Sequence, residues 1–245
     1  MNASRSWLVA VASPKEARAV IDGVDPRGGA AIAVPDVWDA VQVRADARDV
    51  DVLRTGVGKA AAAGAVGLRF DPGRHMGVLS IGIAGALPGA GLEIGSAVLA
   101  NPSVLADEGS LTPGGFLSLD AMGFGADTPA VRPDDASRSA LTPLVDLIGP
   151  VATVSVCSGT DAWAASTADR SRDGGDLGLA EAMEGAAAGL AARRIDPAAR
   201  FAELRVISNT TGHRERQTWD LELGLAALQQ LAGLAVRSLG AGSVR

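Results

Sequence analysis

The sequence has few of the residues that form cross-links, metal sites or basic nucleic-acid surfaces. Cys157 is the only cysteine among 245 residues, which excludes an intramolecular disulfide, and two histidines are too few for a Cys/His zinc cluster. The formal net charge is −6 and no basic run is longer than Arg193-Arg194, so the sequence lacks a stripe of phosphate contacts. It therefore predicts neither a metal nor a nucleic-acid partner.

Long apolar runs are also missing, and none approaches the roughly 20 residues that span a bilayer. The first apolar stretch, at residues 7–12, is too short for a convincing signal peptide and reads directly as a strand. Hydrophobic residues nevertheless make up 47% of the chain, enough for a large core. These features predict a cytoplasmic, enzyme-like protein with no membrane partner.

Short apolar runs alternate with helix-like patterns along the chain, which predicts an α/β fold with a mixed or mostly parallel sheet. Strands are predicted at residues 7–12, 30–34, 37–43, 50–53, 76–82, 94–100, 150–157, 177–183 and 200–207. Helices are predicted at residues 15–21, after the glycines 56 and 58, from residue 185 and at 218–239. No linker or internal repeat divides residues 1–245, so one domain is expected.

Two glutamates occupy the starts of predicted helices. Ser13-Pro14 reads as an N-cap followed by the first helical position, which places Glu16 in the first turn. Glu184 lies where the strand at residues 177–183 meets a helix of small residues. Open α/β sheets bind ligands at the carboxyl ends of their strands, although an acid at a helix start is also favoured simply by the helix dipole. Both readings stay open for each glutamate.

Several polar or glycine-rich segments lie between these elements. Gly56 and Gly58 precede a helix and form a turn of the kind that can bind an anion. Their spacing matches neither Walker A nor GxGxxG, which argues against binding of a nucleotide phosphate. Residues 83–86 predict either a ligand-contacting glycine turn or an ordinary connection. Residues 102–135 predict a long loop that is either functional or disordered, and residues 168–176 predict a polar, mobile one. Trp163 either stacks on a base or packs a helix.

Four stretches in this order resemble the purine nucleoside phosphorylase and nucleosidase superfamily. They are VASPKE at 11–16, SIGIAGAL at 80–87, AEAMEGAA at 180–187 and RVISNTTG at 205–212. Within it, residues 106–125, 155–162 and 207–221 are most similar to the futalosine hydrolases, with Asn209 where adenine-specific nucleosidases carry Asp. The resemblance implies a single-domain three-layer αβα fold with a central mixed sheet. It also implies a homodimer or higher homo-oligomer, because related nucleosidases are commonly dimers.

The resemblance further implies hydrolysis of futalosine to hypoxanthine and dehypoxanthine futalosine, in the alternative menaquinone pathway, with no cofactor or metal. Glu16 would activate water, and Glu184 would bind the ribose 2′- and 3′-hydroxyls. Asn209 would bind the purine, because a neutral amide both donates and accepts and so suits a 6-oxopurine. The other substrate-binding candidates are Ile83, Ala84, Gly85, Ala162, Trp163, Met183 and Ser208.

Other readings stay open. The absence of arginine beside residues 56–59 and 82–87 favours water over phosphate as the nucleophile, and Lys59 is the counter-argument. Futalosine carries an aromatic carboxylate tail, for which His213, Arg214 and Arg216 are candidate partners. The alternatives are a 5′-methylthioadenosine/S-adenosylhomocysteine nucleosidase, a phosphate-dependent purine nucleoside phosphorylase, and a family member that binds nucleosides without cleaving them.

Overall fold

The structure is a computed structural model that describes residues 5–46, 48–124 and 130–241. Residues 125–129, which include the end of the stretch 106–125, lie outside the described residues. The strands are β1 Ser6–Val11, β2 Ala40–Ala45, β3 Arg48–Arg54, β4 His75–Ala86, β5 Ala97–Leu105, β6 Gly109–Thr112, β7 Gly115–Ser118, β8 Ala130–Val131, β9 Leu147–Thr153, β10 Ala180–Ala182 and β11 Arg200–Thr210. The helices are α1 Pro14–Val24, α2 Lys59–Arg69, α3 Asp135–Leu141, α4 Asp161–Arg170, α5 Gly185–Ile195 and α6 Leu221–Ala241.

A mixed sheet of nine strands forms the centre of the molecule, in the order β10-β9-β5-β11-β4-β1-β3-β2 with β8 beside β5. β1 is parallel to β3 and β4, and β4 is parallel to β11. The short β10 pairs with both β9 and β4, so β4, β11, β5, β9 and β10 are joined in a closed ring. The carboxyl ends of β1, β3, β4 and β11 therefore lie at the same edge of the sheet.

Helices cover both faces of this sheet. Side chains alternate along β1, so that Val9 and Val11 pack in the cluster with α1 and α6, whereas Leu8 and Ala10 pack with α2 and α5. α5 approaches closely because its first five residues are glycine or alanine: a Cβ at Gly189 would lie 2.7 Å from the Phe201 ring. The three-layer αβα arrangement with a mixed sheet confirms the predicted fold class.

Two predicted elements at residues 30–34 and 83–86 are wrong. Residues 30–34 do not form a strand, because Gly29–Ala31 is a 3₁₀ helix and Arg18 donates to the carbonyls of Gly29 and Ile32. Residues 83–86 are not a turn but the end of β4, because their backbone pairs with β11 on one side and with β10 on the other. The predicted strands at 7–12, 50–53 and 200–207 and the closing helix are confirmed, each with its ends shifted.

The segment 102–135 is also not one long loop. β5 continues to Leu105 across a register shift between Ala100 and Ser103, and the hairpin of β6 and β7 and the short β8 follow. Residues 168–170 belong to α4, and Ala168 is buried rather than part of a solvated segment. No helix within the described ranges has both the length and the apolar character to cross a bilayer.

Candidate active site

A cavity of about 250 Å³ opens at the carboxyl edge of the sheet. Its wall contains eight of the ten residues predicted for the site: Glu16, Ile83, Ala84, Gly85, Met183, Glu184, Ser208 and Asn209. They come from α1, the ends of β4 and β11, and the junction of β10 with α5. The fold thus brings together side chains that are far apart in the sequence, at the place where α/β sheets bind ligands.

Glu16 is held by two hydrogen bonds with Ser13 at the start of α1 and by one from β4. Its Oε2 accepts a hydrogen bond from the N–H of Ser13 at 2.9 Å, while the Ser13 hydroxyl accepts one from the N–H of Glu16 at 3.3 Å. This capping box fixes the first turn of the helix. The other oxygen, Oε1, accepts from the N–H of Ile83 in β4 at 2.9 Å. The carboxylate is therefore buried and oriented before any ligand binds.

Glu184 is the N-cap residue of α5, and its carboxylate also accepts hydrogen bonds from the backbone. Oε1 accepts from the N–H of Gly58 at 3.1 Å, and Oε2 accepts from the N–H of Met183 at 3.3 Å. Burial raises the pKa of the Glu184 carboxyl above its ordinary value, and the nearby charge of Arg205 opposes that rise. The predicted junction of a strand with a small-residue helix at Glu184 is confirmed.

Arg205 lies beneath this carboxylate in the centre of the sheet and is almost fully buried. Its Nε donates to Oε1 of Glu203 at 2.7 Å, and its Nη2 donates to the hydroxyl of Ser80 at 2.9 Å. Its Nη1 lies 3.5 Å from Oε2 of Glu184. Because a buried charge is costly unless it is paired, this network positions the Glu184 carboxyl and favours its ionised form against the effect of burial.

The sequence prediction missed Arg205 and Glu203, although a signal for them existed. Both lie within the apolar strand β11, where their charges interrupt a run of buried residues. Space for the network comes from glycine: a Cβ at Gly82 would overlap Oε1 of Glu16 and lie 2.7 Å from Nη1 of Arg205. A Cβ at Gly185 would overlap the Glu203 carboxylate in the same way. The glycines at these positions therefore make room for charges.

Asn209 lies at the end of β11, where the pairing with β4 shifts register between Ile207 and Asn209. Such bulges re-aim side chains. Its amide is buried, with Oδ1 accepting from the Ser208 hydroxyl at 3.0 Å and Nδ2 donating to the carbonyl of Thr210 at 2.8 Å. These bonds leave a second amide hydrogen and further acceptor capacity on Oδ1 for a ligand.

Glu181 is a third carboxylate in the cavity wall, and the sequence prediction did not identify it. It stands on β10 opposite Gly85, which also pairs with Asn209, so the three residues form a row across three strands. The backbone N–H of Ser158 donates to Oε1 at 2.8 Å and its hydroxyl to Oε2 at 2.6 Å. Burial raises the pKa of the Glu181 carboxyl. The signal was an acid inside a short buried strand.

Two predicted residues, Ala162 and Trp163, do not line the cavity. Trp163 packs against the guanidinium of Arg170, whose carbon lies 4.4 Å from the ring centroid, and its Nε1 donates to the carbonyl of Val156 at 3.3 Å. The structure thus places this tryptophan in helix packing rather than over a base. The aromatic ring in the cavity wall is Trp219, which the sequence analysis did not select.

The cavity wall carries a single cation among the described residues, Arg214. Lys59, the possible phosphate ligand, does not line the cavity, since its Nζ donates to Oδ1 of Asp107 at 2.7 Å and to Oε1 of Glu108 at 3.1 Å. Three carboxylates and one peripheral cation make a site suited to a ligand that develops positive charge. The same arrangement disfavours a phosphate dianion as a co-substrate.

The model of the phosphorylase superfamily matches residues 7–239. A futalosine hydrolase of Acidothermus cellulolyticus is 36% identical over 98% of this chain and 92% of its own length. A futalosine hydrolase of Streptomyces coelicolor is 34% identical over 82% of this chain and 79% of its own length.

Solved structures share the fold at low sequence identity. A 5′-methylthioadenosine/S-adenosylhomocysteine nucleosidase of Colwellia psychrerythraea, in complex with adenine, has a TM-score of 0.74 at 19% identity, with 97% of this chain and 96% of that chain covered. The futalosine hydrolase of Helicobacter pylori has a TM-score of 0.70 at 13% identity, with 97% of each chain covered. At these identities the likeness establishes the fold alone.

Proposed function

The chain belongs to the phosphorylase superfamily and, within it, to the futalosine hydrolases, and we propose that it hydrolyses the N-ribosidic bond of futalosine. The products are hypoxanthine and dehypoxanthine futalosine. The observation that carries the proposal is the pair of buried, backbone-held carboxylates of Glu16 and Glu184 in one cavity, with Asn209 on the same wall. The names of the two curated relatives support the same substrate.

Glu16 acts as the general base on the attacking water. In the reaction the bond between C1′ and the purine nitrogen breaks, its electron pair leaves with the purine, and the water oxygen bonds to C1′. One water proton passes to Glu16, the departing purine anion takes up a proton from solvent, and Glu16 later returns its proton to solvent, so that atoms and charge balance. General-base catalysis of this kind is typically worth about 10²–10⁴-fold.

Glu184 stabilises the ribosyl group as positive charge develops on it. A carboxylate accepts hydrogen bonds from both ribose hydroxyls, and its negative charge favours the oxocarbenium-like transition state more than the neutral ground state. This role needs Glu184 ionised. The buried charge of Arg205, 3.5 Å away, favours that form against the desolvation that raises the Glu184 pKa. Met183 packs beside the sugar.

Asn209 and Glu181 together suit a 6-oxopurine. Asn209 donates its free amide hydrogen to N7 or O6 of the base, and the Glu181 carboxylate, which lies on β10 beyond Gly85 in the same row, accepts from N1–H. Adenine has no hydrogen on N1 and carries an amino group at C6, so it matches these groups less well. This favours futalosine over methylthioadenosine as the substrate.

The test is purine release from futalosine, inosine and methylthioadenosine in phosphate-free buffer, followed by chromatography. The proposal predicts hypoxanthine from futalosine, with much slower release from the other two nucleosides. Adenine release from methylthioadenosine at a comparable rate contradicts the assignment of Asn209 and Glu181. Purine release that depends on added phosphate contradicts hydrolysis itself.

We also propose that the chain is a homo-oligomer. The segment from β6 to Phe124 exposes several large apolar side chains, namely Leu111, Leu117 and Phe124. Exposed apolar patches on a folded protein commonly mark an interface. Light scattering of the purified protein tests this: a dimer mass supports it, and a monomer mass at micromolar concentration contradicts it.

A further inference from the structure

The segment between β11 and α6 forms the wall of the cavity that carries Arg214 and Trp219. The guanidinium carbon of Arg214 lies 5.1 Å from the centroid of the Trp219 ring, which is within cation–π range. Half of the Trp219 surface is exposed. An aromatic face and a cation are thus presented together beside the cavity.

Neighbouring hydrogen bonds hold the Trp219 ring in place. The indole Nε1 donates to Oε1 of Gln217 at 3.0 Å. The amide nitrogen of Gln217 in turn donates to the carbonyls of Ser158 at 2.8 Å and Gly212 at 3.0 Å. Because these carbonyls belong to the two loops that border the cavity, the position of the ring, and of the guanidinium over it, is set by the protein.

Arg214 differs from the two other cations of this segment in its charge partners. His213 and Arg216 both lie 3.4 Å from Oδ2 of Asp161, outside the cavity wall. Within residues 5–46, 48–124 and 130–241, the Arg214 side chain makes neither an ion pair nor a hydrogen bond and is exposed. Its charge is therefore available to a ligand, whereas the charges of its neighbours are shared.

We propose that Arg214 and Trp219 form the subsite for the carboxylated aromatic tail of the substrate, with Arg214 pairing with the carboxylate and Trp219 contacting the aromatic ring. This inference rests on the proposed function, because the tail belongs to futalosine. The planar guanidinium pairs with a carboxylate through two parallel hydrogen bonds. With Glu16, Glu181 and Glu184 further inside, the cavity is polarised: anionic where the ribosyl cation develops and cationic where the tail ends.

The test compares kcat/KM for futalosine and for its neutral methyl ester in the wild type and in Arg214→Gln. We expect Arg214→Gln to lower kcat/KM for futalosine by about tenfold or more, mainly through KM, because a hydrogen bond to a charged group is lost. The same variant should change kcat/KM for the methyl ester by less than about threefold. Arg216→Gln, an equal loss of charge two residues away, should change neither.

An equal loss for acid and ester in Arg214→Gln overturns the inference, and so does an equal effect of Arg216→Gln. Titration with the product dehypoxanthine futalosine tests the subsite without turnover. A weaker Kd in Arg214→Gln but not in Arg216→Gln supports the subsite even in a protein that cleaves nothing, which would count against the proposed function alone. Equal Kd values in all three proteins overturn the subsite whatever the activity.

Discussion

The carboxylate of Glu16, at the start of α1, accepts a hydrogen bond from the backbone N–H of Ile83, near the end of β4, at 2.9 Å. The bond joins the residue assigned to water activation to the strand that lines the cavity. It also occupies the N–H of Ile83, a residue of the cavity wall. The orientation of the general base is thus a property of the fold.

Glu16→Gln is expected to lower kcat for futalosine by about 10²–10⁴-fold, because an amide cannot accept the water proton. The amide oxygen still accepts from one backbone N–H, but the NH₂ group faces the other donor, so the free energy of unfolding should fall by about 1 kcal/mol. Steady-state kinetics and urea denaturation measure the two effects. Glu93→Gln, at an exposed glutamate outside the cavity, is the matched control. Activity within tenfold of the wild type in Glu16→Gln would contradict the role of Glu16 as general base.

Gly82→Ala is expected to reduce activity strongly while the protein still folds. The added Cβ would overlap Oε1 of Glu16 and crowd Nη1 of Arg205, so both groups must move. A shift of catalytic groups by about 1 Å can cost about 10²-fold in rate. Gly67→Ala is the control, because its Cβ would meet nothing within 4 Å; it should keep full activity and gain up to about 1 kcal/mol in helix stability. Equal activity of Gly82→Ala and Gly67→Ala would contradict the claim that activity requires glycine at position 82.

Local sequence patterns predict the elements that depend on neighbouring residues and fail where distant strands pair. The capping box at Ser13 and Glu16 and the helix at Glu184 were predictable because they depend on residues close together in the chain. The continuation of β4 through residues 83–86 was not, because glycine suggests a turn and only pairing with β10 and β11 keeps it a strand. Long-range pairing overrides local propensity here.

The same distinction applies to the site. The family resemblance implies roles for Glu16, Glu184 and Asn209, whereas it assigns none to Glu181 and Arg205. The contacts of those two side chains with Ser158 and Ser80, 23 and 125 residues away in the chain, exist only in the folded structure. The sequence also does not show which of Trp163 and Trp219 lies at the cavity. Both follow polar segments, and only the three-dimensional structure shows that Trp163 packs on Arg170 while Trp219 faces the cavity.

Glu181→Gln is expected to change the pH dependence of stability. Burial raises the pKa of the folded-state carboxyl, whereas in the unfolded chain it titrates at about 4.3. Between these two pKa values the folded state binds more protons than the unfolded one, so the wild type loses stability as pH rises through that window. The variant cannot ionise, and its free energy of unfolding relative to the wild type should therefore increase from about pH 4 to about pH 8.

Urea denaturation of both proteins at the two pH values measures this difference, with Glu93→Gln as the matched change at an exposed site. A difference that stays constant or decreases with pH would contradict a raised pKa at Glu181. The same variant should lose activity on futalosine, because Glu181 is assigned to N1–H of the base.

Asn209→Asp is expected to lower kcat/KM for futalosine by about tenfold or more, since one hydrogen-bond donor to the 6-oxopurine is lost. The new oxygen would also face the Thr210 carbonyl, to which Nδ2 now donates. The ratio of kcat/KM for methylthioadenosine to that for futalosine should rise, because an Asp carboxyl can donate to N7 and also accept from the 6-amino group of adenine, where a 6-oxopurine presents only an acceptor oxygen. Asn101→Asp, outside the cavity wall, should leave the ratio unchanged. A fixed ratio in Asn209→Asp would remove Asn209 from base selection.

The identity of the nucleophile, water or phosphate, distinguishes hydrolysis from phosphorolysis most directly. The purified protein is incubated with futalosine and a large excess of phosphate, and the sugar product is identified by mass spectrometry. The described cavity wall carries three carboxylates and one peripheral cation, which disfavours phosphate and leaves water activated by Glu16 as the nucleophile. We therefore expect the free sugar, dehypoxanthine futalosine, to form at a rate independent of phosphate. Formation of the corresponding 1-phosphate would contradict it.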